Sequence, residues 1–306
     1  MQTKRRTSSG LSLLAGALRV LPACVVLLTC GSTTHAALVY GNLHAAEDFT
    51  GYGVQDDNLV NGVNLHGTGT GLGTGFSGTW SATGDWKTDI NVNRDANAQV
   101  PSSDIGGSGG PVLRANVNTA LSENAHREFA SAITQPTSGQ TEFWLVFNTY
   151  NRSDANPGFI GLADADGNVL VEAGFTGYSS INNAHFPPFS DTDDEQKFGI
   201  KAFNDSNVAI AATTSSTFDA QDTWHNVVLR GLWADDGSVD LWLWLNPDNE
   251  DDLTTFDVSL ANAFIGDDLT RINVVQGRVD HWVAFDDIAV YVNLPPPPKG
   301  TVILIR

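Results

Sequence analysis

Carboxylates are the first residues to test for chemistry. Retaining glycoside hydrolysis needs two of them about 5–5.5 Å apart, and an E-x-D-x-x-E strand puts its first Glu and its Asp on one face by alternation. The chain has no such motif, and the glutamates after residue 36 (Glu47, Glu123, Glu128, Glu142, Glu172, Glu195, Glu250) are scattered singly. Histidines come next: His44, His66, His126, His185, His225 and His281 include no pair at i,i+2 or i,i+4. Each therefore reads as a loop or core-edge residue rather than a metal ligand. No G-x-S-x-G elbow is present to carry a nucleophilic serine. Gly73–Gly78 matches G-x-G-x-x-G, but Thr79-Trp80-Ser81 follows and opens no helix. It reads as part of a Gly/Thr loop over Gly67–Gly78, not as a dinucleotide cradle.

Tryptophan is the remaining chemical resource. Sugars present C–H faces that stack on aromatic rings, so an exposed Trp can serve a glycan. Trp233 precedes the turn Asp235-Asp236-Gly237, which makes it the rim candidate, with Asp235 and Asp236 beside it as hydrogen-bonding partners for a ligand. Trp242 and Trp244 share one face, and packing explains them better than recognition does. The acidic runs Asp191–Glu195 and Asp248–Asp252 read as solvated loops with weak calcium binding as the alternative. Asn151-Arg152-Ser153 and Asn204-Asp205-Ser206 match the N-glycosylation sequon, a short and weak signal.

The elements that must position these residues are strands. After residue 37 the apolar period of 3.6 fails, and short Val/Ile/Phe/Trp-rich runs recur between Gly, Asn and Asp clusters. The clearest run is 140–150. Pairs follow at 158–162 with 169–175, at 197–203 with 208–213, and at 224–233 with 239–245. Asp166-Gly167 and Asp236-Gly237 mark two of the connecting turns. Runs at 271–275 and 282–292 close the series. Leu241, Leu243 and Leu245 alternate with Trp242 and Trp244, so that strand is apolar on both faces. This pattern predicts an all-β, two-sheet antiparallel sandwich or jelly roll. Ser102–Gly110 reads as a surface loop within it, with an interdomain linker as the alternative.

Composition sets the compartment and excludes several partners. Of 306 residues, 16 are Lys or Arg and 35 are Asp or Glu, a net charge of −19. That excludes a phosphate-tracking nucleic-acid binder and disfavours docking on anionic lipid. Residues 1–36 read as a secretory signal: Lys4, Arg5 and Arg6, then an apolar stretch densest over Val20–Leu28, then Thr34-His35-Ala36 at the cleavage site. Arg19 and Pro22 interrupt the stretch, so it is too broken for a stable membrane span. A retained anchor, a twin-arginine signal at Arg5-Arg6 and a lipoprotein box at Cys30 are weaker readings. Removing 1–36 takes away four bases and no acid, which moves the net charge from −19 to −23. Both cysteines, Cys24 and Cys30, leave with it, so the mature chain has no disulfide and no thiolate. The expected organisation is a signal at 1–36, one β domain at 37–293 and a proline-rich tail at 294–306, with no integral membrane span in the mature chain.

Several short motifs carry a resemblance. Glu47-Asp48-Phe49 with Gly75–Trp80, then Val239–Pro247, then Ala284–Val290 resemble segments of secreted bacterial proteins with a laminin-G-like, concanavalin A-like jelly roll. The likeness spans most of 40–293. Many such proteins end in a Pro-Glu-Pro sorting signal; Pro295–Arg306 keeps the prolines and one arginine but lacks the Glu and a full span. The resemblance implies an extracellular or cell-surface protein that binds polysaccharide or a matrix component without catalysis. A structural matrix protein with no discrete ligand is the first alternative, and a glycan-active enzyme without a motif is the second. It also implies one structural calcium ion between the first and last strands, with Glu47 or Asp48 meeting Asp287, and no organic cofactor. Fold analogy alone does not establish function.

Overall fold

The computed structural model describes residues 40–52, 63–83, 86–89, 112–115, 123–151, 158–176, 197–214, 223–248, 250–276 and 283–293. The expected signal at 1–36, the expected loop at 102–110, the 191–195 acidic run, His185, His281 and residues 294–306 lie outside these residues. Among the described residues the elements are sixteen strands and one 3-10 turn, Glu250–Thr254. The strands are β1 (Asn42–Glu47), β2 (Val63–Asn64), β3 (Phe76–Thr83), β4 (Trp86–Asp89), β5 (Val112–Ala115), β6 (Glu123–Ile133), β7 (Gln140–Asn151) and β8 (Gly158–Ala163). They continue with β9 (Val169–Phe175), β10 (Phe198–Phe203), β11 (Ala209–Thr213), β12 (Thr223–Ala234), β13 (Ser238–Leu245), β14 (Val258–Phe264), β15 (Leu269–Gln276) and β16 (Val283–Asn293). Among them, no helix is long and apolar enough to cross a membrane.

Every described strand pair is antiparallel, and the ladder runs β2-β4-β5-β16-β7-β12-β13-β14-β10-β9-β8-β15-β6-β3. It folds over where β14 meets β10, at the single pair Phe203–Phe264. The part from β2 to β14 forms one layer and the part from β10 to β3 the other. Strand alternation then decides what fills the space between them. Phe143, Leu145, Phe147, Val227, Leu229, Leu241, Leu243 and Val290 come from the first layer. Ile160, Leu162, Val171, Ala173, Ile200, Ile272 and Val274 come from the second. All belong to one buried cluster. The antiparallel two-layer sandwich of jelly-roll type expected from the sequence is what the chain forms. A large apolar side chain buried in this way contributes about 1.5–3 kcal/mol, and residues 37–306 contain no cysteine to crosslink the core.

One polar cluster interrupts this core. Arg127 on β6 points inward, nearly fully buried, with its Nη1 2.5 Å from Glu47 Oε2. Tyr52 donates its hydroxyl to the same oxygen at 2.7 Å, and Trp80 Nε1 donates to the Tyr52 hydroxyl at 3.0 Å. The other guanidinium nitrogen, Nη2, donates to the carbonyls of Gly69, Leu72 and Gly78. The Gly/Thr loop expected at 67–78 is therefore wound around a buried arginine. Glycine is required at Gly75, where φ is +75° and a Cβ would lie 1.9 Å from the His44 carbonyl oxygen.

Candidate functional site

The outward face of the second layer carries a row of polar side chains that register alone brings together. Ser81 on β3 is opposite His126 on β6, and His126 is opposite Asn273 on β15. Asn273 is opposite Gly161 on β8, Gly161 opposite Glu172 on β9, and Glu172 opposite Lys201 on β10. Laterally paired residues share a face, and five strand spacings make this row roughly 24 Å long. Thr83 and Asn124 flank it on one side and Arg271 on the other. All of these but Gly161 line a hollow of about 600 Å³, whose remaining wall comes from Asp166, Gly167, Asn168, Val169, Phe203 and Val275.

Two features shape the hollow. A Cβ at Gly161 would lie 2.7 Å from the Val171 carbonyl oxygen and 2.9 Å from Glu172 Cγ, so only glycine leaves the row's centre open. The 164–168 turn forms the rim. Asp164 accepts from the backbone N and Nδ2 of Asn168, both at 2.8 Å. Burial works against its charge, but those donors and the neighbouring amides hold its pKa below the usual carboxylate range.

The charges inside are paired. Lys201 Nζ is 2.5 Å from Glu172 Oε2, with both side chains largely buried. Arg271 Nε is 3.3 Å from Glu128 Oε1, and its Nη2 donates to the Ala165 carbonyl. Burial, and then the Arg271 charge, lowers the His126 pKa against a smaller opposing effect of Glu128, so the imidazole is neutral at neutral pH. Asn273 is 8% exposed. Among the described residues, the side chains of Ser81, Asn124, His126 and Asn273 have no hydrogen-bond partner. Two amides, a hydroxyl and a neutral imidazole thus offer both donors and acceptors to a ligand.

The residues expected from sequence lie elsewhere. Trp233 is fully buried in the core. On β12 the odd positions face inward, and Trp233 is still in register with Thr141 and Val239, so its nearness to the turn does not bring it to the rim. Its ring has no free face for a sugar, which corrects that expectation. Asp235 and Asp236 are exposed in the turn. Asp236 accepts from Ser238 N and Oγ at 2.9 and 2.6 Å, and the Asp235 carbonyl accepts from Gln135 Nε2 at 2.9 Å. Neither lines the hollow. Trp242 and Trp244 face away from the main core. They join Tyr40 and Trp144 in a separate cluster on the other outer face, where Trp144 and Trp244 stack at 5.9 Å and Arg230 lies over Trp144 and Trp242.

The expected calcium ligands divide. Glu47 does not fit: Arg127, the Tyr52 hydroxyl and the Phe49 amide already occupy its carboxylate. Burial pushes its pKa up against those donors, and the cation beside it is internal. Asp48 and Asp287 do come into electrostatic range. β16 pairs with β5 at Ala284–Phe285 and with β1 from Ile288 onward. Asp287 sits at the changeover, in a bulge with φ of +50°. Burial raises its pKa, Asn148 Nδ2 opposes this by donating to its Oδ2 at 2.9 Å, and Asp48 adds a smaller upward push. Among the described residues, no three His, Cys, Asp or Glu side chains form a group suited to a metal.

Comparisons with known proteins add little to this geometry. No family model matches the chain, and no curated protein matches it. Among solved structures it is similar to the globular domain of T. cruzi calreticulin, with 12% identity over 70% of this chain and 84% of that one and a TM-score of 0.41. It is also similar to an endo-β-1,4-glucuronan lyase from the fungus Trichoderma reesei, with 11% identity over 82% and 95% and a TM-score of 0.42. A Bauhinia forficata lectin in complex with GalNAc has 10% identity over 60% and 87% and a TM-score of 0.35. At this distance nothing of their chemistry carries over to this chain.

Proposed function

We propose that the protein is an exported binding module that holds an extended polysaccharide, or a glycan of a surface or matrix component, in the hollow on the second layer. One observation carries the reading: the unpartnered side chains of Ser81, Asn124, His126 and Asn273 gather on neighbouring strands beside the Glu172–Lys201 pair, with Asn273 nine-tenths buried among them. Their polar atoms remain open to the hollow, and a hydroxyl-rich ligand would supply hydrogen bonds each worth about 0.5–1.5 kcal/mol net. The length of the row suits a chain better than a single sugar. Export is supported by the pattern of residues 1–36 and by the lack of cysteine after them.

The test is binding to a panel of soluble polysaccharides by calorimetry. Asn273→Leu and His126→Leu should each weaken binding about tenfold, roughly 1.4 kcal/mol, with the melting temperature nearly kept. Binding unaffected by both substitutions would end the assignment to this hollow. A catalytic reading rests on His126 alone, a neutral imidazole beside Arg271 that could accept a proton. It requires depolymerisation of a bound polysaccharide that is lost in His126→Gln. Calcium, proposed now at Asp48 and Asp287 with backbone oxygens, would fasten the first strand to the last and take no part in glycan contact.

A further inference from the structure

We infer that the hollow takes an uncharged glycan, and that Glu172 and Glu128 set this preference by neutralising the two cations that would otherwise hold a polyanion. The inference rests on the glycan-binding reading and narrows it to a ligand class.

Recognition of a uronic acid or a sulfated sugar needs free cationic donors, above all the two-pronged fork of an arginine. Both cations of the hollow are already committed. Lys201 faces Glu172 at 2.5 Å in a largely buried pair. Arg271 is ion-paired with Glu128, its Nε 3.3 Å from Oε1 without a hydrogen bond, while its Nη2 donates to the Ala165 carbonyl. The charged lining is two cations, Lys201 and Arg271, against two anions, Glu172 and Asp166, with Glu128 behind them. A carboxylate entering this hollow would displace an internal one and meet the field of a chain with net charge −19. The groups left without partners, Ser81, Asn124, His126 and Asn273, are uncharged hydrogen-bonding groups. Val169, Phe203 and Val275 add apolar wall against which C–H faces can lie.

The experiment compares neutral polymers (mixed-linkage β-glucan, xylan, galactomannan) with alginate and polygalacturonate, using the intact protein. Wild-type protein should bind at least one neutral polymer about tenfold or more tighter than either uronan. Its affinity should change little between about 0.01 and 0.1 M salt, over which the screening length falls from roughly 30 to 10 Å. Glu172→Gln frees Lys201 and should raise uronan affinity about tenfold, with the gain lost at the higher salt. Glu128→Gln should act in the same direction through Arg271. Since the Glu128 side chain is 45% exposed, that variant tests the idea if Glu172→Gln fails to fold. A wild-type preference for uronans would overturn the inference and leave glycan binding standing, as would folded variants that gain no uronan affinity. Binding to no polymer of either kind would remove both.

Discussion

Asp287 shows how one position can report on several forces. It carries a left-handed φ of +50°, a bulge, a hydrogen bond from Asn148 and a neighbouring carboxylate, Asp48. Asparagine tolerates that backbone conformation as well as aspartate does. Asp287→Asn should therefore raise the melting temperature only slightly without calcium, because the charge that desolvation and Asp48 disfavour is exposed and screened by solvent. The pH dependence has a definite sign. The folded pKa lies above the unfolded one, so the group's contribution to stability is complete below the unfolded pKa and is lost as pH rises through the folded value. In a melting series, the wild-type deficit relative to Asp287→Asn should open over that window. Millimolar calcium should raise the wild-type melting temperature, with reversal by chelator, and leave the variant unmoved. A wild-type curve indifferent to calcium would remove the ion.

Among the elements, β6 does two jobs. Its outward residues Asn124 and His126 line the hollow, Glu128 pairs with Arg271 behind it, and its inward Arg127 ties the 69–78 loop and Glu47 on β1 into the core. Arg127→Met would leave a buried carboxylate and three loop carbonyls without their donor. Breaking such a pair from one side costs about 3–5 kcal/mol, and chemical denaturation should show a loss of that size. Adding Glu47→Gln should recover part of it, since the stranded charge is then gone. The same strand explains what was legible in the sequence. Strands such as β7, β9, β12 and β13 stood out by apolar content and turn chemistry, within a residue or two of their bounds. β6 did not, because ENAHREFASAI places charges on both faces and breaks the alternation. The hollow was invisible for a related reason. An outward polar residue on a strand looks like ordinary solvation, and only register across six strands reveals a row. Glu172 in VLVEAGF and Lys201 in FGIKAF, lone charges in apolar strands, were the available signals. Trp233 stands next to a turn in the sequence, but its odd position on β12 turns it into the core.

For the molecule as a whole, net charge is the governing quantity. At −19, self-repulsion opposes the compact state and screening relieves it. Added sodium chloride should raise the melting temperature; a gain on the order of 1 kcal/mol would shift a chain of this size by about 2–4 °C. A flat response between low and moderate salt would show that the acids are too dispersed to matter. The two-layer design separates responsibilities: inward positions make one core, while the two outer faces diverge, one polar and hollow, the other carrying the Trp144–Trp244 stack.

The row draws a single outward letter from each of six strands, and the inward neighbours of those letters keep the fold. Most of those outward positions can therefore change one codon at a time while the interior is left alone, with Gly161 the exception because a Cβ there meets the backbone of β9.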